Sequence, residues 1–259
     1  MTTATGAVAI DGRWTGYDGF YGGYVVGLLV DAALASSAFR LASVSVNFVS
    51  RLAVEDVEIG VERLHRGRSS ELLRLTLDQG GRTRVHGTAE LVAADDTGAP
   101  LWVRSAGETA PPGTGAGLGR RRLPFDDMVE MRTTAAPRLD PVASSWVRLR
   151  PEAGEPGMAT DEALVAALLD MPTPGLFGLP EPAAFVPTLD YTVHFAPPVP
   201  GAARDWVRLD HGSSWVTRDH CVDDVTAFAA DGRILATLRQ TRSVRWPDPT
   251  DTTDPGGEP

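Results

Sequence analysis

Apolar positions run through this chain in two rhythms, and the change from one to the other happens twice. Residues 22–30, Gly-Gly-Tyr-Val-Val-Gly-Leu-Leu-Val, are apolar all round. A helix with no polar stripe has no face to offer water, so a buried helix is expected from Gly22 to about Ala38. Ser43–Val49 then alternates, with Val44, Val46 and Phe48 on one side, which is the period of a strand. Val57–Leu64, Glu71–Leu77 and Arg82–Val92 read as further strands, punctuated by Arg66-Gly67-Arg68 and Gln79-Gly80-Gly81. Leu101–Ser105 is long enough to add a short one. Asp127–Thr133 and Ser144–Leu149 open a second series of strands, with a loop at Gly154–Met158. Thr160 then stands as an N-cap before Asp161 and Glu162, whose charges suit a first turn. The second helix runs to about Asp170, where Pro172 and Pro174 stop it. Thr188–Phe195, Trp206–Ser214, Cys221–Ala229 and Ile234–Val244 complete the set. Phe48 and Phe195, which close equivalent strands, lie 147 positions apart.

Two copies make a duplicated domain and not a solenoid. Each copy is one buried helix followed by an antiparallel meander, so the class is α+β, with two sheets that each wrap their own helix. If one sheet continues into the other, neither keeps a bare inner edge. The expected boundaries are 1–105 for the first unit, a Gly/Pro/Ala-rich linker at 106–124, 125–245 for the second unit, and a proline-rich acidic tail at 246–259 expected to be disordered.

Charge narrows the partners. The net charge over 259 residues is −10, which argues against nucleic-acid binding through bulk electrostatics. The chain has no lysine, so every cationic side chain is arginine. Arg66 with Arg68, and the run Arg120-Arg121-Arg122, are the local clusters that could hold an anionic small molecule. The single cysteine, Cys221, rules out an internal disulfide and reads as an inert strand residue. The N-terminus shows no basic start and no apolar run, and Tyr24–Val30 is too short to span a bilayer, so a cytoplasmic protein is expected. His65, His86, His194, His211 and His220 show no metal-ligand spacing. No GxSxG elbow occurs, and the glycines of 113–119 lack the lysine of a phosphate loop. Neither a metal nor a cofactor is expected.

Four collinear motifs resemble those of the bacterial acyl-CoA thioesterase II family. Gly22-Gly23-Tyr24-Val25-Val26-Gly27 resembles its GGQVVG, and Val61 to Ser69 its VExLRDGxS turn. Thr188 to Phe195 resembles its TIDHSMWF strand, and Leu235 to Gln240 its final VASTVQ strand. The resemblance covers most of residues 14–244. It implies a double-hotdog fold, hydrolysis of acyl-CoA to free CoA and a carboxylic acid, and a homo-oligomer. It also implies a catalytic aspartate, threonine and glutamine from the second unit, which fall on Asp170, Thr188 and Gln240. Asp190 is the reserve aspartate, placed by strand alternation on the face of Thr188. The free N–H groups of a helix start make Gly23 the candidate to polarise the thioester oxygen. Gly22, Arg66, Gly67, Arg68 and His194 are the candidate substrate-binding residues, His194 as a pocket wall.

The chemistry is that of a carboxylate taking a proton from a water that a hydroxyl and an amide hold in place. Each residue also has an ordinary reading: Asp170 as a C-terminal turn, Thr188 as a β-branched strand residue, Gln240 as a solvated position between Arg239 and Arg242. Two rival functions stay open. One is a hotdog enoyl-thioester hydratase, which needs an Asp/His pair that neither unit displays. The other is a non-catalytic acyl-CoA-binding protein.

Overall fold

The computed structural model describes residues 3–17, 19–94, 101–107, 110–113, 122–139, 143–198 and 200–247. Arg120, Arg121, much of the expected linker and most of the expected tail lie outside these. Eleven strands form one antiparallel sheet: β1 (Thr3–Val8), β2 (Arg40–Phe48), β3 (Val57–Arg66), β4 (Ser70–Gln79), β5 (Arg82–Val92), β6 (Val129–Thr133), β7 (Ala143–Leu149), β8 (Thr188–Phe195), β9 (Val207–Val216), β10 (His220–Phe228) and β11 (Ile234–Ser243). Their order across the sheet is β1-β3-β4-β5-β2-β8-β11-β10-β9-β7-β6. Two helices, α1 (Gly22–Ala35) and α2 (Asp161–Leu169), supply the buried centre of each half. No helix among the described residues is long and apolar enough to cross a membrane.

Read outward from its middle, the sheet repeats itself: β2-β5-β4-β3-β1 on one side and β8-β11-β10-β9-β7 on the other. The seam is antiparallel, with Ser43 opposite His194, Ser45 opposite Thr192 and Asn47 opposite Asp190. An approximate two-fold axis therefore passes through the Ser45–Thr192 pair, whose hydroxyls are 2.8 Å apart. The inner edges are paired with each other, and no edge strand is left between the halves.

The two helices cross closely because α1 carries glycines one turn apart. A Cβ on Gly23 would stand 2.5 Å from the Ala167 carbonyl oxygen, and one on Gly27 would stand 2.9 Å from that of Ala163. Backbone can approach backbone this tightly only where both positions lack a side chain. The ends of the pair are then tied reciprocally. Asp31, in the last turns of α1, accepts from the N–H of Ala159 and Thr160 at the start of α2, at 2.7 and 3.0 Å. Asp170, the C-cap of α2, accepts from the N–H of Gly23 at 3.0 Å. Each carboxylate satisfies N–H groups that the other helix leaves unpaired, at the positive end of its dipole.

Three expectations need correction, and one strand is additional to them. α1 ends at Ala35 and not Ala38, because Ser37 Oγ takes the Phe39 N–H and turns the chain into β2. Leu101–Ser105 is not a strand; it makes one bridge, Ser105 to Arg233. The strand expected from Asp127 starts at Val129, since Pro124–Asp127 forms a 3-10 turn closed by the Asp126 carboxylate on the Leu123 N–H at 2.7 Å. β1 was not anticipated; it pairs only with β3.

Two stability measurements follow from this packing. Gly23→Ala is expected to lower the unfolding free energy by about 1–3 kcal/mol, the range for overpacking, despite the better helix propensity of alanine. A urea midpoint that rises would mean the helices are not held at this separation. His211 on β9 sits beside Ser145, with its Nε2 3.1 Å from the hydroxyl, and burial pushes its pKa down to about 4. The unfolded chain binds that proton near pH 6.5, so stability is complete above that pH and falls as pH drops toward 4. The loss is at most about 3 kcal/mol. Replacement by Gln should flatten that part of the stability profile, and an unchanged slope would assign it elsewhere.

Candidate active site

Asp170 reaches its position because α2 stops there. The chain closes the last turn with Tyr21 O–H on the Ala167 carbonyl at 2.9 Å and Tyr191 O–H on that of Ala166 at 2.6 Å. The helix end is thus sealed by two phenols, and the carboxylate is turned across to α1. Its Oδ2 takes the Gly23 N–H at 3.0 Å and its Oδ1 takes Arg242 Nη2 at 2.7 Å. Gln240 lies near this carboxylate and acts to lower its pKa. Only 6% of the Asp170 side chain is exposed. Burial lifts its pKa above the ordinary carboxylate value, opposed first by the Arg242 cation and then by the Gly23 N–H and Gln240. A carboxyl raised toward neutrality at a cavity wall has the properties of a general base.

Thr188 and Gln240 arrive from β8 and β11. Along β11, Leu238, Gln240 and Arg242 are buried while Arg239 faces out, a clean two-residue period. Gln240 is 1% exposed, so the solvated reading is overturned. On β8 the period breaks. Asp190 pairs with Thr241, yet Thr188 pairs with Arg242, so Leu189 is an extra residue in the ladder. One inserted residue flips every side chain beyond it. Thr188 therefore joins Gln240, with its Oγ1 donating to Gln240 Oε1 at 3.3 Å. Asp190 instead accepts the Thr241 N–H at 3.1 Å, and the alternation that placed it beside Thr188 does not hold.

Asp170 and Thr188 border a cavity of about 400 Å³; Gln240 does not line it and is joined to it through Thr188. Gly22, Asp170, Thr188 and Arg242 form its polar side, and rings including Phe48, Phe125 and Phe177 its apolar side. The segment from Met171 to Pro187 closes it. Five prolines stiffen that strap, and Gly175 and Gly178 let it lie against the backbone of Pro137 and Arg138. The volume falls within the ~300–1,000 Å³ usual for small-molecule sites.

Other expected site residues are placed differently. The Gly23 N–H is already given to Asp170. His194 is exposed, on the face of the sheet opposite the buried Tyr191 and Val193. Arg66, Gly67 and Arg68 occupy the β3–β4 turn and do not line the cavity; the Arg66 guanidinium sits over the Phe39 ring. Arg122 pairs with Asp127. The arginines at the cavity are Arg51, Arg242 and Arg245. From sequence, Arg242 is named only as a flanking residue of Gln240. Its signal was present, since it stands two residues beyond Gln240 in an unbroken strand and so must share its buried face. Cys221, buried beneath it, has its thiol pushed up to about 12 by burial, which fits an inert residue. Among the described residues, no three His, Cys, Asp or Glu side chains are grouped to hold a metal ion.

Comparison with known proteins gives the family and the fold. Residues 10–92 match the model of the acyl-CoA thioesterase N-terminal domain, and residues 77–244 that of the acyl-CoA thioesterase C-terminal domain. No curated protein sequence matches the chain. Among solved structures, the acyl-CoA thioesterase II of Mycobacterium marinum is 18% identical, over 88% of this chain and 90% of its own, with a TM-score of 0.68. A hot-dog-fold protein from Alicyclobacillus acidocaldarius is 19% identical over 95% and 94%, with a TM-score of 0.78. A protein from Thermobifida fusca proposed to be a thioesterase II is 24% identical over 93% and 92%, with a TM-score of 0.76. At these identities the structural likenesses establish the double-hotdog fold. The two domain matches, which run in order through nearly the whole described chain, make this protein a member of the acyl-CoA thioesterase family, whose reaction is the hydrolysis of acyl-CoA thioesters.

Proposed function

We propose that hydrolysis proceeds by direct attack of water, with Asp170 as the base and Thr188 and Gln240 holding the water. The observation that carries this is a buried carboxylate at the wall of a mostly apolar cavity, with a threonine–glutamine pair beside it. Both Asp170 oxygens are engaged, but each has a second acceptor site, so a water can still be bound. Asp170 takes its proton as the water oxygen adds to the thioester carbonyl carbon. The tetrahedral intermediate collapses by breaking the C–S bond, and the CoA thiolate recovers the proton from Asp170. The products are a carboxylic acid and CoA.

The carbonyl oxygen becomes negative on the way, and such charge is best met by fixed N–H groups. Since Asp170 holds the Gly23 N–H, the proposed oxyanion donor moves to Gly22, the first residue of α1, which lines the cavity. Arg51 and Arg245, also at the cavity, replace Arg66 and Arg68 as the proposed contacts for the CoA phosphates. A cytoplasmic homo-oligomer acting in lipid metabolism remains part of the proposal on the strength of the family resemblance. Sedimentation showing only monomer would remove the assembly.

The test is thiol release from acetyl-, hexanoyl- and palmitoyl-CoA. Asp170→Asn and Gln240→Ala should each lower kcat/KM by about 100-fold or more, near 2.7 kcal/mol of barrier. The wild-type rate should fall as pH drops through the raised pKa of Asp170, where the base becomes protonated. Full activity in Asp170→Asn would move the base elsewhere. Saturable binding with no thiol release from any of the three would favour the non-catalytic reading.

A further inference from the structure

Arg242 is a buried cation between two buried carboxylates. Its Nη2 bonds Asp170 at 2.7 Å, and its Nε lies 3.1 Å from Asp223 Oδ2 on β10. The side chains of Asp170, Arg242 and Asp223 are 6%, 9% and 10% exposed. Asp223 is fixed from behind by Ser213, whose hydroxyl donates to its Oδ1 at 2.7 Å. The Nε contact lacks hydrogen-bond geometry, and Nη1 reaches only the Val186 carbonyl, at 3.4 Å. The guanidinium is therefore committed to Asp170, while Asp223 acts on it through charge.

Three ionisable groups removed from water in a row are expensive, and apolar residues of like volume are commonly as stable. The chain itself contains that alternative. The strand registers place Leu41, Leu73, Ala89 and Leu91 of the first unit where the second has Thr188, Asp223, Gln240 and Arg242. All four of the first-unit residues are at most 1% exposed. The fold thus accepts an apolar set at these positions, so the charged set is not needed to build the sheet.

We propose that Arg242 and Asp223 are positioning residues of the hydrolytic site: Asp223 anchors the guanidinium, and the guanidinium keeps the Asp170 carboxylate anionic and directed at the cavity. Asp223 has no role of its own in contact with substrate; it sets how much of the Arg242 charge Asp170 receives. The groups around Asp170 that could compete are few. Tyr191 on β8 and Cys221 on β10 both have pKa values raised by burial and stay neutral. From its side α1 presents the Gly23 N–H. Arg51 and Arg245 line the same cavity.

The inference rests on Asp170 being the base, and the experiment separates the two. The pH dependence of kcat/KM for hexanoyl-CoA is measured for the wild type, Arg242→Gln, Arg242→Lys, Asp223→Asn and Asp170→Asn. In Arg242→Gln the acid limb should move up by a unit or more, with at least tenfold lower kcat/KM at pH 6. Arg242→Lys, which keeps the charge, should return the limb most of the way. Asp223→Asn should move it down, because Arg242 then serves one carboxylate. Shifts of opposite sign from two neighbours are not produced by general loosening. A limb that stays put in both variants, or moves the same way in both, overturns the proposal. If Arg242→Gln does not fold, the near-isosteric Asp223→Asn decides by the sign of its shift. Undiminished turnover in Asp170→Asn would remove the base assignment instead, whatever the other profiles do.

Discussion

The close crossing of α1 and α2 is the constraint on which the rest depends. Gly23 and Gly27 bring the two backbones within reach, and only at that distance can the Asp170 carboxylate accept the Gly23 N–H. Move the helices apart by the width of a methyl group and Asp170 loses the donor that offsets its burial. The cavity would change as well, since Gly22 and Asp170 are both on its wall. A packing requirement and a chemical one are thus met by the same two residues.

The duplicated halves differ at matched positions of one framework. Asp31 and Asp170 play the same part, each binding N–H groups at the start of the partner helix. At the Asp31 end the strand positions facing the helices hold leucine and alanine; at the Asp170 end they hold threonine, glutamine, arginine and aspartate. The first half has an apolar wall at these positions, and the second has a polar one. The binding surface comes from both, because Phe48 and Arg51 of the first half line the cavity with the second half's residues.

Much of this was legible in the sequence, for definable reasons. α1 was readable because its apolar residues go all round, and β2 because Val44, Val46 and Phe48 alternate. Thr188, Gln240 and Asp170 came from motif resemblance, and the structure brings them together. What failed did so where a rule of period met an exception. The bulge at Leu189 reversed the parity that put Asp190 beside Thr188, and nothing local in Thr-Leu-Asp-Tyr announces a bulge. β1, with its small residues and a single pairing partner, carries no apolar signal to read. The Gly23 assignment failed because a free N–H at a helix start is a statement about one helix, and its partner came from another.

The seam between β2 and β8 joins two halves that in another protein could be separate subunits. Because they belong to one chain, their pairing does not depend on how much protein is present. A noncovalent dimer dissociates on dilution, and its stability cannot be stated apart from protomer concentration. A tether replaces that with an effective concentration, on the order of millimolar for short flexible links. The cavity, which draws its walls from both halves, should therefore be as complete in a nanomolar solution as in a concentrated one.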